Sequence, residues 1–331
     1  MPMLTVGPEA NTGDDECDSR ASTSLAAEGS RVTDAAGVKP PLFILAPPRS
    51  FTSVVCAMIG NHPEMLGLPE TNLFAADTVT QLQRIHTARP RFAHGLLRSI
   101  AELGLGSQSV SDIDAAKRWL EEQAELTTAE VFLDLMTWAA PRSVIDKSPM
   151  YAYAPGALER MLAAFPDARF LHLTRHPRGT CESIYETRTM AQGTRGGAFA
   201  QGEDAMTPEK LWLKPHMKIM QALEALPSER KMFVRGESLM SDPRRHLPQI
   251  AEWLGISRAD AAIEAMMRPH ESPFACIGPE NARLGNDPRF LQSPNLKPYR
   301  EKPSDLESPM SWDASLVFDD AVKDHARRFG Y

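Results

Sequence analysis

Leu42-Phe43-Ile44-Leu45-Ala46-Pro47-Pro48-Arg49-Ser50-Phe51-Thr52-Ser53 is the stretch from which the architecture follows. Its first four residues form a continuous apolar run bounded by Pro40-Pro41 and Pro47-Pro48, the pattern of a strand buried on both faces of a parallel sheet. Beyond the loop, Val54, Val55, Met58 and Ile59 fall at helical spacing, and Gly60-Asn61-His62-Pro63 ends the helix. The loop itself holds one cation, Arg49, and three hydroxyls, Ser50, Thr52 and Ser53, just where the first N–H groups of a helix lack partners. Such a helix start attracts an anion through its free donors and its dipole, and an arginine adds a two-pronged fork. Taken alone, the loop reads equally as a capped helix with Arg49 in a surface ion pair. It lacks GxxxxGK followed by Ser or Thr, which makes an ordinary ATPase a poorer reading.

The same grammar recurs downstream. Residues 169–173 read as a strand, followed by Thr174-Arg175-His176-Pro177 and a helix over about 178–188. Ser183 stands eight residues after Arg175, slightly more than two helical turns, so its hydroxyl can share a side with the loop cation and the two could grip a phosphate. A capping Arg and an idle Ser is the plainer alternative for this segment by itself. Upstream, Pro155 opens a helix with Leu158, Met161, Leu162 and Phe165 on one stripe. A third unit starts with the strand Met232-Phe233-Val234, and Asp242-Pro243 caps a helix carrying Leu247, Ile250, Trp253 and Leu254. Strands alternating with helices imply a parallel sheet covered on both faces, and ligands of such sheets bind beyond the carboxyl ends of the strands.

Composition narrows the partners. A chain of 331 residues, 42% hydrophobic, can bury a sizeable core. With 36 basic against 43 acidic residues, a net charge of -7 argues against a nucleic-acid or anionic-membrane surface, so any anion site is local. The four cysteines have neither CxxC nor metal-ligand spacing, and the histidines form no HxH or HExxH, so no metal is expected. No apolar stretch approaches a membrane span and no signal-peptide pattern opens the chain; a reducing, cytoplasmic setting is the expectation. Residues 1–39 are rich in Gly, Ser, Thr, Ala and acidic groups with little apolar periodicity, and read as a disordered tail before one domain over 40–331. The Pro-rich stretch near 269–309 reads as long loops.

Together, Ala46-Pro47-Pro48-Arg49-Ser50-Phe51-Thr52-Ser53 and Leu173-Thr174-Arg175-His176-Pro177 with Ser183 resemble the 5'-phosphosulfate and 3'-phosphate motifs of sulfotransferases dependent on 3'-phosphoadenosine 5'-phosphosulfate (PAPS). Asp146-Lys147-Ser148-Pro149, Phe165-Pro166-Asp167-Ala168-Arg169-Phe170 and Val234-Arg235-Gly236-Glu237-Ser238-Leu239 through Trp253-Leu254-Gly255 are also similar to the family, over roughly residues 40–256. The resemblance implies a P-loop-like three-layer fold, with PAPS as co-substrate and an acceptor hydroxyl sulfated by in-line displacement. It implies donor binding by Arg49, Ser50, Phe51, Thr52, Ser53, Arg175 and Ser183, and charge stabilisation by Arg49 and Lys147. Glu70, after a His-Pro turn like that of tyrosylprotein-type sulfotransferases, takes the place of their catalytic Glu and is expected to be the general base, with His62 and Asp77 as the next candidates. Three departures stand out: Phe51 replaces a loop glycine, Gly236 replaces a frequent tyrosine, and His176 replaces a common aspartate. Adenine contacts stay unassigned, and residues 278–294 suggest a lid. A P-loop-like phosphotransferase and a catalytically silent nucleotide-binding relative are the competing readings. The acceptor is open between small alcohol, lipid, carrier-bound acyl chain and peptide, with its contacts expected in residues 75–140 and 190–215.

Overall fold

The computed structural model describes residues 37–192, 207–301 and 305–331. Five strands, β1 (Leu42–Leu45), β2 (Met65–Gly67), β3 (Ser143–Asp146), β4 (Arg169–Thr174) and β5 (Lys231–Arg235), form one sheet in the order β2-β3-β1-β4-β5, and every pairing is parallel. β1 lies at the centre, with Leu42 paired to Ile145 on one side and to Arg169 on the other. This is the α/β fold expected, a central parallel sheet flanked by helices.

The apolar run of β1 is explained by its two covered faces. Phe43 and Leu45 enter one core, where the Phe43 ring lies 5.4 Å from Phe132 and 5.5 Å from Phe170. Leu42 and Ile44 enter the opposite core with Val55, Ile59 and Leu171. Truncating Phe43 to Ala would cost about 3–5 kcal/mol, the usual scale for a buried aromatic.

The helices follow local signals of the kind read from sequence. Thr52–Gly60 follows the first loop, and Asp242 caps Pro243–Leu254 by accepting from the Arg245 N–H. The helix expected to open at Pro155 instead spans Ala157–Ala164, because Gly156 adopts a left-handed conformation (φ 70°) at its N-cap. Between β2 and β3, the stretch 75–140 is largely helical: Val79–Ala88, His94–Ile100, Val110–Glu122 and Thr128–Ala139. Thr127 and Glu130 form a reciprocal capping box at the last of these. Residues 269–301 carry only the short turn Pro269–Glu271 and the helix Pro288–Gln292, in keeping with long loops. Of the expected tail, residues 37–39 are described, with Val38 packed on the core and Lys39 tied to Glu64 at 3.0 Å, whereas residues 1–36 lie outside the described residues, as do residues 193–206 of the stretch 190–215.

All five strands end at one edge of the sheet. There the chain delivers, in order, the loops containing Arg49, Glu70, Lys147 and Arg175, and then Glu237 in the first turn of the helix Gly236–Ser241.

Candidate active site

Backbone geometry marks this edge. Arg49 (φ 66°), Phe51 (φ 63°) and Asn72 (φ 53°) are the non-glycine residues with left-handed backbone among the described residues, and all three lie in loops leaving β1 and β2. Each such position costs of order 1–3 kcal/mol and persists only where the surroundings hold it. Phe51 therefore does adopt the conformation that a glycine would take most readily.

The curled loop draws distant residues to Arg49. Its Nε donates to Ser183 Oγ at 2.9 Å, its Nη1 is ion-paired with Asp287, and its carbonyl accepts a 2.6 Å bond from Arg175 Nη1. Arg175 and Ser183 share one cavity of about 620 Å³, though the hydroxyl is bonded to Arg49. The Arg175 guanidinium stacks 4.7 Å above the Phe51 ring, which meets Tyr299 edge-on at 5.6 Å. Ser50 is fully buried and its hydroxyl has no hydrogen-bond partner among the described residues.

Lys147 joins this loop to Glu70. Its ammonium is fully buried and donates to Ser53 Oγ at 3.2 Å and to Glu70 Oε1 at 3.1 Å. Lys147 is thus a buried cation whose carboxylate partner offsets the cost of its burial. Glu70 keeps a side-chain exposure of 31%, so one face of the carboxylate stays open.

Its position is fixed from several sides. The Glu70 N–H donates to the Gly285 carbonyl at 2.6 Å, and its own carbonyl packs on Gly95, where any β-carbon would collide with it. Next to it, Thr71 Oγ1 donates to Asp146 Oδ2 at 2.7 Å, and the Asn72 N–H donates to Ser148 Oγ at 3.0 Å. Asp146 also accepts from Ser148 and Tyr151, so three hydroxyls hold a fully buried carboxylate at the end of β3. Burial raises the Asp146 carboxyl above its ordinary range, and these hydroxyls act against that rise. The buried Cys56 thiol is pushed up to about 12, chiefly by desolvation, which makes it inert.

The other two candidate bases are engaged elsewhere. His62 Nε2 lies 2.8 Å from the Ser257 carbonyl, and Asp77 is paired with Arg160 at 2.9 Å.

Sequence reasoning passed over several groups that complete the edge. Glu237, only 4% exposed, accepts from the His176 N–H at 2.8 Å and from the Tyr331 hydroxyl at 2.7 Å. Burial, with Arg178 nearby, lowers His176 to about 4. The segment 278–294 crosses the loop after β1, where the Asp287 N–H donates to Ser53 Oγ at 3.0 Å. Beneath it lies a second cavity, of about 290 Å³, bounded by Arg49, Thr52, Glu70, Phe92 and Asp287. Only the polarity of Asn286-Asp287-Pro288 hinted at these contacts.

A parallel sheet with an arginine-bearing strand-loop-helix turn, a second arginine loop and a buried lysine paired with a part-exposed glutamate at one edge defines an α/β protein of the P-loop-like class. More specifically, the chain belongs to the sulfotransferase family, whose model matches residues 40–260. No curated protein matches it in sequence. Among solved structures it is similar to the sulfotransferase domain of the Synechococcus PCC 7002 olefin synthase, with 22% identity, TM-score 0.68, and coverage of 88% of this chain and 95% of that one. It is likewise similar to the sulfotransferase domain of the curacin biosynthetic pathway, with 24% identity, TM-score 0.69, and coverage of 88% and 98%. At these identities the likeness speaks for the shared fold. No helix among the described residues is long and apolar enough to cross a membrane.

Proposed function

We propose that this sulfotransferase takes its sulfuryl group from PAPS and passes it to an acceptor hydroxyl, with Glu70 as general base. The observation that carries the reading is the Lys147 ammonium, which touches both Ser53 of the anion loop and Glu70. One buried cation thus couples the group that would hold the donor to the group that would receive the acceptor's proton. Glu70 takes that proton as the acceptor oxygen bonds to sulfur, and the bond from sulfur to the bridging oxygen breaks, leaving 3'-phosphoadenosine 5'-phosphate (PAP). Charge grows on the leaving oxygen and the transferring oxygens, and fixed cations there supply much of the stabilisation, as in phosphoryl transfer. Arg49 and Lys147 fill that role. Ser50, Phe51, Thr52 and Ser53 cradle the 5' end of the donor, with the orphaned Ser50 hydroxyl free for one of its oxygens. Arg175 and Ser183 face the cavity proposed for the 3'-phosphate.

Thermal shift tests the donor. PAP should raise the melting temperature more than ATP at equal concentration, because ATP lacks a 3'-phosphate. Equal shifts would remove the PAPS assignment. Transfer itself is read as a mass gain of about 80 Da on an acceptor, the formula mass of SO3.

A further inference from the structure

The cavity beneath residues 285–288 has walls of two kinds. Its polar lining includes Thr52 and Arg49 of the anion loop together with Glu70, so an acceptor in it would touch both the proposed base and the proposed donor loop. Its remaining walls include Phe92, Pro149, Met150, Tyr153 and Pro288. The charged groups on it are already matched: Arg49 with Asp287, and Glu70 with Lys147. Asn72, which also borders it, donates its amide to the Phe92 carbonyl at 3.2 Å, and the Tyr153 hydroxyl donates to the Leu211 carbonyl at 2.6 Å. The Asn286 amide likewise donates to the Phe274 carbonyl at 3.1 Å, so the slot offers apolar contact, one carboxylate and the Thr52 hydroxyl that the donor reading gives to PAPS.

We propose that this slot takes an uncharged alcohol carried on a slim apolar chain. The proposal rests on the sulfuryl-transfer reading and names the acceptor class for it. A carboxylate or phosphate on the acceptor near its hydroxyl would face Glu70 without a free cation to offset the repulsion. A sugar or a peptide backbone would surrender water without recovering its hydrogen bonds. An alkyl chain loses nothing polar on entry, and each methylene buried contributes about fourfold in affinity. With a volume of about 290 Å³ the slot is small for a drug-sized ligand and suits a single chain. The step balances without a further reagent: the alcohol proton passes to Glu70, the new oxygen–sulfur bond forms, and PAP departs with the electron pair of the bond it loses.

The test is a homologous series, ethanol through 1-octanol, offered with labelled PAPS to the full chain, beside 3-hydroxyoctanoate, glucose and a tyrosine-containing peptide. The KM for alkanols should fall by about fourfold per added methylene until the slot is full. The hydroxy acid should give a kcat/KM at least tenfold below that of 1-octanol. In Met150→Glu, which brings a charge to the slot wall, the 1-octanol KM should rise at least tenfold; Phe92→Ala serves as a second variant should the first fail to fold. PAP-induced stabilisation measured in parallel reports the donor side separately. The acceptor class is overturned if the hydroxy acid, sugar or peptide is sulfated as efficiently as 1-octanol, or if no alkanol is sulfated by a protein that still binds PAP. Absence of PAP binding would instead remove the underlying donor reading.

Discussion

A β-carbon on Gly236 would stand 2.5 Å from Cδ2 of Phe51, so the Phe51 ring occupies the space that any side chain at 236 would need. Two of the three departures from the family pattern thus form one compensated exchange. An aromatic enters where a glycine is usual, and a glycine makes room where a tyrosine is frequent. The ring then serves as the floor beneath Arg175. Gly236→Ala should destabilise by about 1–3 kcal/mol through overpacking. In Phe51→Gly/Gly236→Ala the alanine should cost less, with a coupling of roughly 0.5–3 kcal/mol as expected for touching residues. Some cost remains because the Thr174 carbonyl also lies 2.9 Å from the new atom. Urea denaturation of the four proteins measures this, and strict additivity would refute the exchange.

On the proposed reading, Asp287 and an incoming donor compete for Arg49. The ion pair is well shielded, with side-chain exposures of 14% and 26%. Asp287→Asn keeps a side-chain oxygen to cap the helix Pro288–Gln292 but removes the competing charge. PAP affinity should rise by roughly three- to tenfold, the scale of one partly buried ion pair. Titration calorimetry checks it; weaker binding would mean that Asp287 supports the donor site instead of blocking it.

A buried histidine pair should make the protein acid-labile. His172 Nε2 and His216 Nδ1 lie 2.8 Å apart, both fully desolvated. Burial lowers His172 from 6.5 to about 3, and His216 well below the ordinary value. The folded state thus keeps both neutral while the unfolded chain protonates them below about 6.5. The stability they confer is complete above that pH and is lost as pH falls toward 3, by up to about 1.4 kcal/mol per pH unit for each group. His216→Leu should flatten the fall of melting temperature between pH 6.5 and 4, even if its stability at neutral pH is altered. An unchanged slope would contradict this account.

Much of the fold is readable where strands are buried and their loops are marked by proline or polar clusters, as at Leu42–Leu45, Arg169–Thr174 and Lys231–Arg235. Met65–Gly67 is too short to register, Ser143–Asp146 has only Val144 and Ile145 as its apolar residues, and Asp146 looks like a loop residue until Thr71, Ser148 and Tyr151 supply its hydrogen bonds. The site divides in the same way. Arg49, Arg175 and Ser183 sit at motif spacings, whereas Asp287, Glu237 and Tyr331 reach the site through tertiary packing that no local pattern encodes. Nor does any spacing within Asp146-Lys147-Ser148 reveal that Lys147 is wholly buried against Ser53 and Glu70.

The most direct test of the central claim is the rate of sulfuryl transfer from PAPS by Glu70→Gln on an identified acceptor, measured beside its affinity for PAP. Glutamine keeps the size of the side chain and can still accept from Lys147, so the site should stay assembled. The predicted result is PAP affinity within a few-fold of the parent and turnover lowered by roughly 100-fold or more, the usual scale for a lost acid–base group. Near-parental turnover would contradict Glu70 as the base, and joint loss of PAP binding and turnover would make it a structural support of the loop beneath the donor.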